Sequence, residues 1–257
     1  MCRWLAYWGP PLFMEELVTK PDHSLIHQSL HAAEAKSETN GDGFGIGWYG
    51  ERPEPGLYRE ILPAWNDDNL KHLSAQIRSR LFFAHVRAST GTSTTRSNCH
   101  PFTHGRWLFM HNGQIGGYAK IRRKLEQMLP DSLYCGRQGT TDSELIFLLA
   151  LSLGLDDDPI SAMRESLSLV EREMIAAEVE DPLRFTAALS DGTRLIAFRY
   201  SSDPHAPTLY HTGSGSGALT VVSEPLDTDR ARWTAVPTQH VLSIYQDGRM
   251  VTEPLTL

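Results

Sequence analysis

The chain has 257 residues, 40% hydrophobic and 21% charged, which is ordinary for a soluble globular protein and leaves room for one substantial core or two small ones. A formal charge of −7, with lysines and arginines dispersed apart from the short Lys120–Lys124 cluster, argues against a nucleic-acid partner. Three cysteines, Cys2, Cys99 and Cys135, are an odd number without paired spacing, so a reducing compartment, the cytoplasm, is expected rather than a disulfide framework.

The first apolar run, Trp4-Leu5-Ala6-Tyr7-Trp8 after Arg3, is too short for an export signal or a membrane span, and Pro10-Pro11 closes it. Aromatic and branched residues predict strands at Arg3–Trp8, Gly43–Tyr49, Leu57–Leu62, Arg80–Arg87 and Arg106–His111. Helical patterns follow at Asp67–Ser79, Tyr118–Leu129, Thr141–Leu153 and Pro159–Ala177, and the Lys120–Lys124 cluster reads as a solvated helix face. Strands return at Arg184–Ser190, Thr193–Tyr200, Thr208–His211, Leu219–Ser223 and Val241–Gln246. Strands, then helices, then strands imply an α+β chain, with two mainly antiparallel sheets and helices outside them to cover their second faces. Residues 1–257 are expected to form a single domain. Alternating Gly41, Gly43, Gly45 and Gly47 would leave one strand face bare, for tight packing or for close approach to a substrate. The spacing does not match a dinucleotide-binding fingerprint.

Cys2 carries the strongest chemical signal. Trimming Met1 would put a thiol and a free α-amine, with a reference pKa of about 7.7–8.0, on one residue, so the nucleophile would bring its own base. Asn112-Gly113 is a hairpin signal, but no strand pattern follows, and an Asn amide beside a Gly N–H can also supply two oxyanion donors. Arg87, at a strand end, is either a surface residue or a bidentate partner for a carboxylate. Asp142 lies in Thr141-Asp142-Ser143-Glu144, a capping box, where an acid serves the helix dipole or could pair with an ammonium. Together, Arg87 and Asp142 would recognise an α-amino acid head group. A zinc site from Cys99, His100, His104, His111 and Cys135 lacks ligand spacing, and Gly213-Ser214-Gly215-Ser216-Gly217 does not form a nucleophile elbow.

Six segments taken together resemble the class II glutamine amidotransferases over almost the whole chain. They are Met1–Tyr7, Asn40–Tyr49, His85–Thr90, His111-Asn112-Gly113, Thr141–Glu144 and Ser223-Glu224-Pro225-Leu226. The likeness is closest to the stand-alone branch that includes the γ-glutamyl amidases of glutathione degradation and ergothioneine synthesis. The resemblance implies an N-terminal nucleophile hydrolase fold, a four-layer αββα sandwich. It also implies Cys2 as nucleophile, Asn112 and Gly113 as oxyanion hole, Arg87 for the substrate α-carboxylate, Asp142 for the α-ammonium and Thr90 as a further substrate contact. Ala88 departs from the bulky Trp that several members place there, so the pocket wall differs. The expected reaction is hydrolysis of the γ-amide of glutamine or a γ-glutamyl compound through a Cys2 thioester, releasing glutamate, with no cofactor and no metal. Ammonia could pass to a partner protein in trans. The alternative is a catalytically silent binding or regulatory subunit of the same fold.

Overall fold

The structure, a computed structural model, describes residues 2–34, 39–89, 91–213 and 217–257. In chain order it runs through β1 (Arg3–Phe13), α1 (Glu15–Val18), α2 (Leu25–Leu30), β2 (Phe44–Trp48), β3 (Gly56–Glu60), α3 (Asp68–Gln76) and β4 (Arg78–Val86). Next come β5 (Phe102–His104), β6 (Trp107–Gln114), α4 (Tyr118–Glu126), α5 (Asp131–Gly136), α6 (Asp142–Ser152) and α7 (Pro159–Ala176). The chain closes with β7 (Arg184–Ser190), β8 (Leu195–Ser201), β9 (Tyr210–Gly213), β10 (Leu219–Val222), β11 (Thr234–Ala235), β12 (His240–Ile244) and β13 (Met250–Pro254).

Among the described residues the strands form a seven-stranded sheet, β11-β9-β10-β1-β4-β2-β3, and a six-stranded sheet, β13-β12-β8-β7-β6-β5. The pairings are antiparallel. Three apolar clusters make four layers of them. Trp4, Ala6, Trp8, Leu81 and Phe83 of the first sheet meet Leu108, Met110, Ala188 and Leu242 of the second. Leu5, Tyr7, Phe82 and Val86 face Val18, Leu25 and Leu70 of the first helix layer. Phe109, Phe185 and Phe198 face α6 and α7 through Phe147, Met163 and Leu167. Central strands are therefore apolar on both faces, which is why β1 reads as an unbroken hydrophobic run rather than an alternating one. The helix α6 is apolar all round for the same reason, with every residue from Ser143 to Ala150 buried.

This is the expected α+β, αββα arrangement, with local corrections. Pro10 and Pro11 do not end β1. They are exposed and fall where the β1–β4 register shifts between Trp8 and Leu12, so their missing N–H groups interrupt no ladder bond. Asn112-Gly113 is not a hairpin turn but part of β6, paired with Thr186 and Phe185. The capping box forms by half. Thr141 Oγ1 accepts the Glu144 N–H at 3.1 Å, whereas the Glu144 carboxylate reaches further back, to the N–H groups of Gln138 at 2.9 Å and Gly139 at 2.7 Å.

The bare glycine face of β2 is filled by protein. A Cβ at Gly43 would lie 2.6 Å from Cys99 Sγ, one at Gly45 would run into the His100 carbonyl oxygen, and one at Gly47 would lie 2.7 Å from Leu108. Tight packing is thus the reason for the alternation. We expect Gly45→Ala, which meets rigid backbone, to lose about 1–3 kcal/mol in urea unfolding. Gly50→Ala, with nothing within 4 Å of the new carbon, should be near neutral.

The segment that covers these glycines brings three buried imidazoles together. His100 stacks on His85 at 4.3 Å between centroids, and its edge faces His111 at 6.5 Å. Burial drives His85 down to about 3, holds His100 well below its ordinary value, and lowers His111 despite the opposing charge of Asp142. All three are neutral in the folded protein, while the unfolded chain takes up protons below about pH 6.5. Stability should therefore be fully present above that pH and fall as pH drops toward 3, by about 1.4 kcal/mol per pH unit for His85, with His100 and His111 adding to the fall in the same direction. Thermal melts across this range check it. His100→Phe, which removes two nitrogens that have no hydrogen-bond partner, should flatten the dependence.

Candidate active site

Residue period places the candidates before any contact is considered. Trp4, Ala6 and Trp8 point into the inter-sheet layer, and Cys2 lies two residues before Trp4, on the same face. On β4, Leu81 and Phe83 share that face, and so do His85 and Arg87 further along. On β6 it belongs to Leu108 and Met110, hence to Asn112. The Cys2 and Arg87 ends of the first sheet and the Asn112 end of the second thus look into the same interlayer.

The Cys2 position is set by its neighbours on both sides. Arg3 pairs with Val86, which brings Cys2 beside Ala88. The Ala88 N–H donates to Cys2 Sγ at 3.4 Å, and the thiol reaches the Ala88 carbonyl at 3.5 Å. Burial pushes the Cys2 thiol up, opposed by the Ala88 N–H and by the charges of Arg87 and Arg3. On the far side, Ser223 closes against β1. Its Oγ accepts the Trp4 N–H at 2.9 Å, and its own N–H donates to the Trp4 carbonyl at 3.0 Å.

Arg3 and Glu224, both fully buried, form the anchor beneath Cys2. Arg3 Nη1 donates to the Ser223 carbonyl at 3.2 Å and lies 3.7 Å from Glu224 Oε2. Glu224 also accepts the Ala33 N–H at 2.8 Å and the Glu34 N–H at 3.0 Å, and His23 Nε2 sits 2.5 Å from its other oxygen. Burial raises this carboxyl, but those hydrogen bonds and the Arg3 charge outweigh it and hold it below its ordinary value. Sequence reasoning assigned neither residue a role. The available signal was a charge pair inside otherwise apolar strand segments, at Arg3 and in Ser223-Glu224.

Arg87 is 3% exposed and already well hydrogen-bonded. Its Nη1 donates to the Asp42 carbonyl at 3.3 Å. Its Nη2 donates to Thr92 Oγ1 at 2.7 Å, Ser89 Oγ at 3.2 Å and the Ser93 carbonyl at 3.4 Å. The guanidinium therefore braces the loop that follows it. Thr90, in that loop, lies outside the described residues.

Asn112 is 1% exposed, and neither its Nδ2 nor its Oδ1 has a hydrogen-bond partner, while its backbone carbonyl accepts from Thr186 Oγ1 at 2.9 Å. A buried amide with both ends open is costly unless a ligand or water completes it. At Gly113 a Cβ would collide with the Arg184 carbonyl, so the strand admits only glycine there. Asp142 opens α6 and is held by the end of β6, Oδ2 accepting the Ile115 N–H at 2.9 Å and Oδ1 the Ser143 N–H at 2.9 Å. Asn112, Gly113 and Asp142 are thus one group, and Cys2 with Arg87 another. Among the described residues no three His, Cys, Asp or Glu are placed to hold a metal ion, and His104 and Cys135 are exposed.

A sequence profile described as class-II glutamine amidotransferases matches residues 13–212. The chain is 35% identical to a Saccharomyces cerevisiae protein named as a probable glutamine amidotransferase, DUG3, over 95% of this chain and 82% of that one. It is 28% identical to the gamma-glutamyl-hercynylcysteine sulfoxide hydrolase of Mycolicibacterium smegmatis, over 99% and 100% of the two chains. Among solved structures, a glutamine aminotransferase class-II domain protein from Silicibacter pomeroyi superposes with a TM-score of 0.80 at 37% identity, covering 100% of both chains. The glutamine phosphoribosylpyrophosphate amidotransferase from B. subtilis, at 18% identity and a TM-score of 0.66, shares the fold across 100% of this chain and 50% of its own. The same two sheets and flanking helices recur from end to end, and the chain belongs to the class II glutamine amidotransferases as an enzyme of that family.

Proposed function

We propose that residues 1–257 form a single unit that hydrolyses the γ-amide bond of glutamine or of a γ-glutamyl compound through a thioester on Cys2. The observation that carries this reading is Asn112, whose buried amide has no partner and lies on the interlayer face that Cys2 shares. Once Met1 is removed, the free α-amine takes the thiol proton as Sγ bonds to the δ-carbonyl. The carbonyl oxygen becomes an oxyanion held by the Asn112 amide and the Gly113 N–H. Collapse breaks the C–N bond, the amine proton passes to the leaving nitrogen, and water then cleaves the thioester to release glutamate and restore the thiol. Burial pushes the Cys2 thiol up, so a base attached to the same residue is what the step needs. Arg87 receives the α-carboxylate, Asp142 the α-ammonium, and Thr90 contacts the substrate beside them.

The two named relatives divide the substrate choice, one being called a glutamine amidotransferase and the other a hydrolase of a γ-glutamyl conjugate. A head-group clamp reads only the glutamyl part, so glutamine and larger γ-glutamyl compounds are both substrates of this chemistry. Ammonia released from glutamine passes either to water or to a partner protein. Three unpaired cysteines favour a reducing compartment, the cytoplasm.

Glutamate release from a panel of glutamine, glutathione and other γ-glutamyl compounds tests the reading. Asn112→Ala should cut kcat by about 10²–10³ with a smaller change in KM, and retained turnover would remove Asn112 from the reaction. Cys2→Ala, or an N-terminal extension that blocks Met1 removal, should abolish turnover. Full activity in material whose mass shows Met1 retained would overturn the mechanism.

A further inference from the structure

Arg87 sits on the first sheet and Asp142 at the head of a helix packed on the second, yet a head-group clamp needs the two held at one spacing. Asn98 provides that link. It is 1% exposed, and its amide is used from both ends. Its Nδ2 donates to the Ser93 carbonyl at 2.9 Å, the same oxygen that Arg87 Nη2 reaches at 3.4 Å. Its Oδ1 accepts the Thr140 N–H at 2.8 Å, two residues before Asp142, and Nδ2 also donates to Thr140 Oγ1 at 3.1 Å. The path from guanidinium to carboxylate is therefore Arg87, the Ser93 carbonyl, the Asn98 amide, the Thr140 N–H and the cap of α6.

The far side of the junction is built for close approach. A Cβ on Gly139 would lie 2.5 Å from Asn98 Oδ1 and 2.7 Å from the Ser97 carbonyl, so only glycine lets the 137–141 segment seat against Asn98. From behind, the Glu144 carboxylate clamps the N–H groups of Gln138 and Gly139. Thr141 caps α6 through Glu144, which transmits the position of Thr140 to Asp142. The Asn98 amide donates to one loop through Nδ2 and accepts from the other through Oδ1. Aspartate would set a carboxylate against the Ser93 carbonyl, and alanine would take the Asn98 acceptor away from the Thr140 N–H.

We infer that Asn98 is a positioning residue that fixes the spacing between the carboxylate-binding and ammonium-binding halves of the substrate site, with Gly139 as its required neighbour. This rests on the reading of Arg87 and Asp142 as the head-group clamp. The test compares the best γ-glutamyl substrate of the panel with its glutaryl analogue, which lacks only the α-ammonium. Wild type should prefer the γ-glutamyl compound in kcat/KM. Asn98→Ala should lower that preference by roughly ten- to a hundredfold, the scale of one charge-assisted contact, chiefly through KM. Gly139→Ala, which keeps Asn98 and Ser93 intact, should lower it in the same sense. Asn98→Asp, which retains the acceptor for Thr140, should lie between Asn98→Ala and wild type. Equal losses on both substrates, as a general loosening would give, or a preference kept within about twofold of wild type, would overturn the inference while leaving the clamp standing. A wild-type enzyme without any preference would overturn the clamp itself.

Discussion

The antiparallel pairing of β1 with β4, in the register that sets Arg3 opposite Val86, is the constraint on which the rest of the site depends. Backbone hydrogen bonds on one side and the Ser223 stitch on the other leave residue 2 a single place to be, beside the Ala88 N–H. Because side chains alternate, the same register sends Cys2 and Arg87 to the interlayer face. A one-residue slip of β1 would turn Cys2 away from the face that Arg87 occupies and bring Arg3 into the apolar interior between the sheets. Trp4, buried completely next to Cys2, resists that slip by the amount of apolar surface it would expose.

A buried ion pair is an expensive way to fasten a strand, since two charges must leave water. Arg3 and Glu224 meet that cost through hydrogen bonds rather than through their attraction, which acts across 3.7 Å. Glu224 is satisfied by two backbone N–H groups and His23, and the Arg3 Nη groups donate to the carbonyls of Ser223 and Glu34. The pair ties the 33–34 segment, the end of β10 and the start of β1 into one block. Apolar residues could fill the same space, but they could not take up the Ala33 and Glu34 N–H groups. The identity of these two residues therefore follows from stray backbone donors near the chain start, a need invisible in a linear reading.

Long strongly patterned elements were legible from the sequence. The strand Arg184–Ser190 matches β7 residue for residue, and the apolar spacing of α7 agrees with its buried positions Ala162, Met163, Ser166, Leu167, Val170 and Met174. Short or edge elements were not. The helices α1, α2 and α5 have four to six residues, too few to show a period, and β5 has three residues paired on one side. The strand β13 alternates between partly buried and exposed, lying at the rim where little apolar surface is required. Asn112-Gly113 misleads because Asn-Gly favours a turn locally, and the ladder to β7 overrides that preference.

From the sequence alone came the chemistry on offer: a thiol next to the chain start, an amide beside a glycine, an arginine and an acid, and enough alternating strands to require two covered sheets. Residue type and period carry that information because they act within a few positions of one another. Tertiary structure alone decided which polar groups would be left open and which consumed. Asn112 keeps its amide free while Arg87 directs Nη2 to its own loop and Nη1 to the Asp42 carbonyl, and Asn98 joins segments some forty residues apart. Those outcomes depend on contacts between strands distant in the chain, and only the closed sandwich determines which buried donor finds an acceptor.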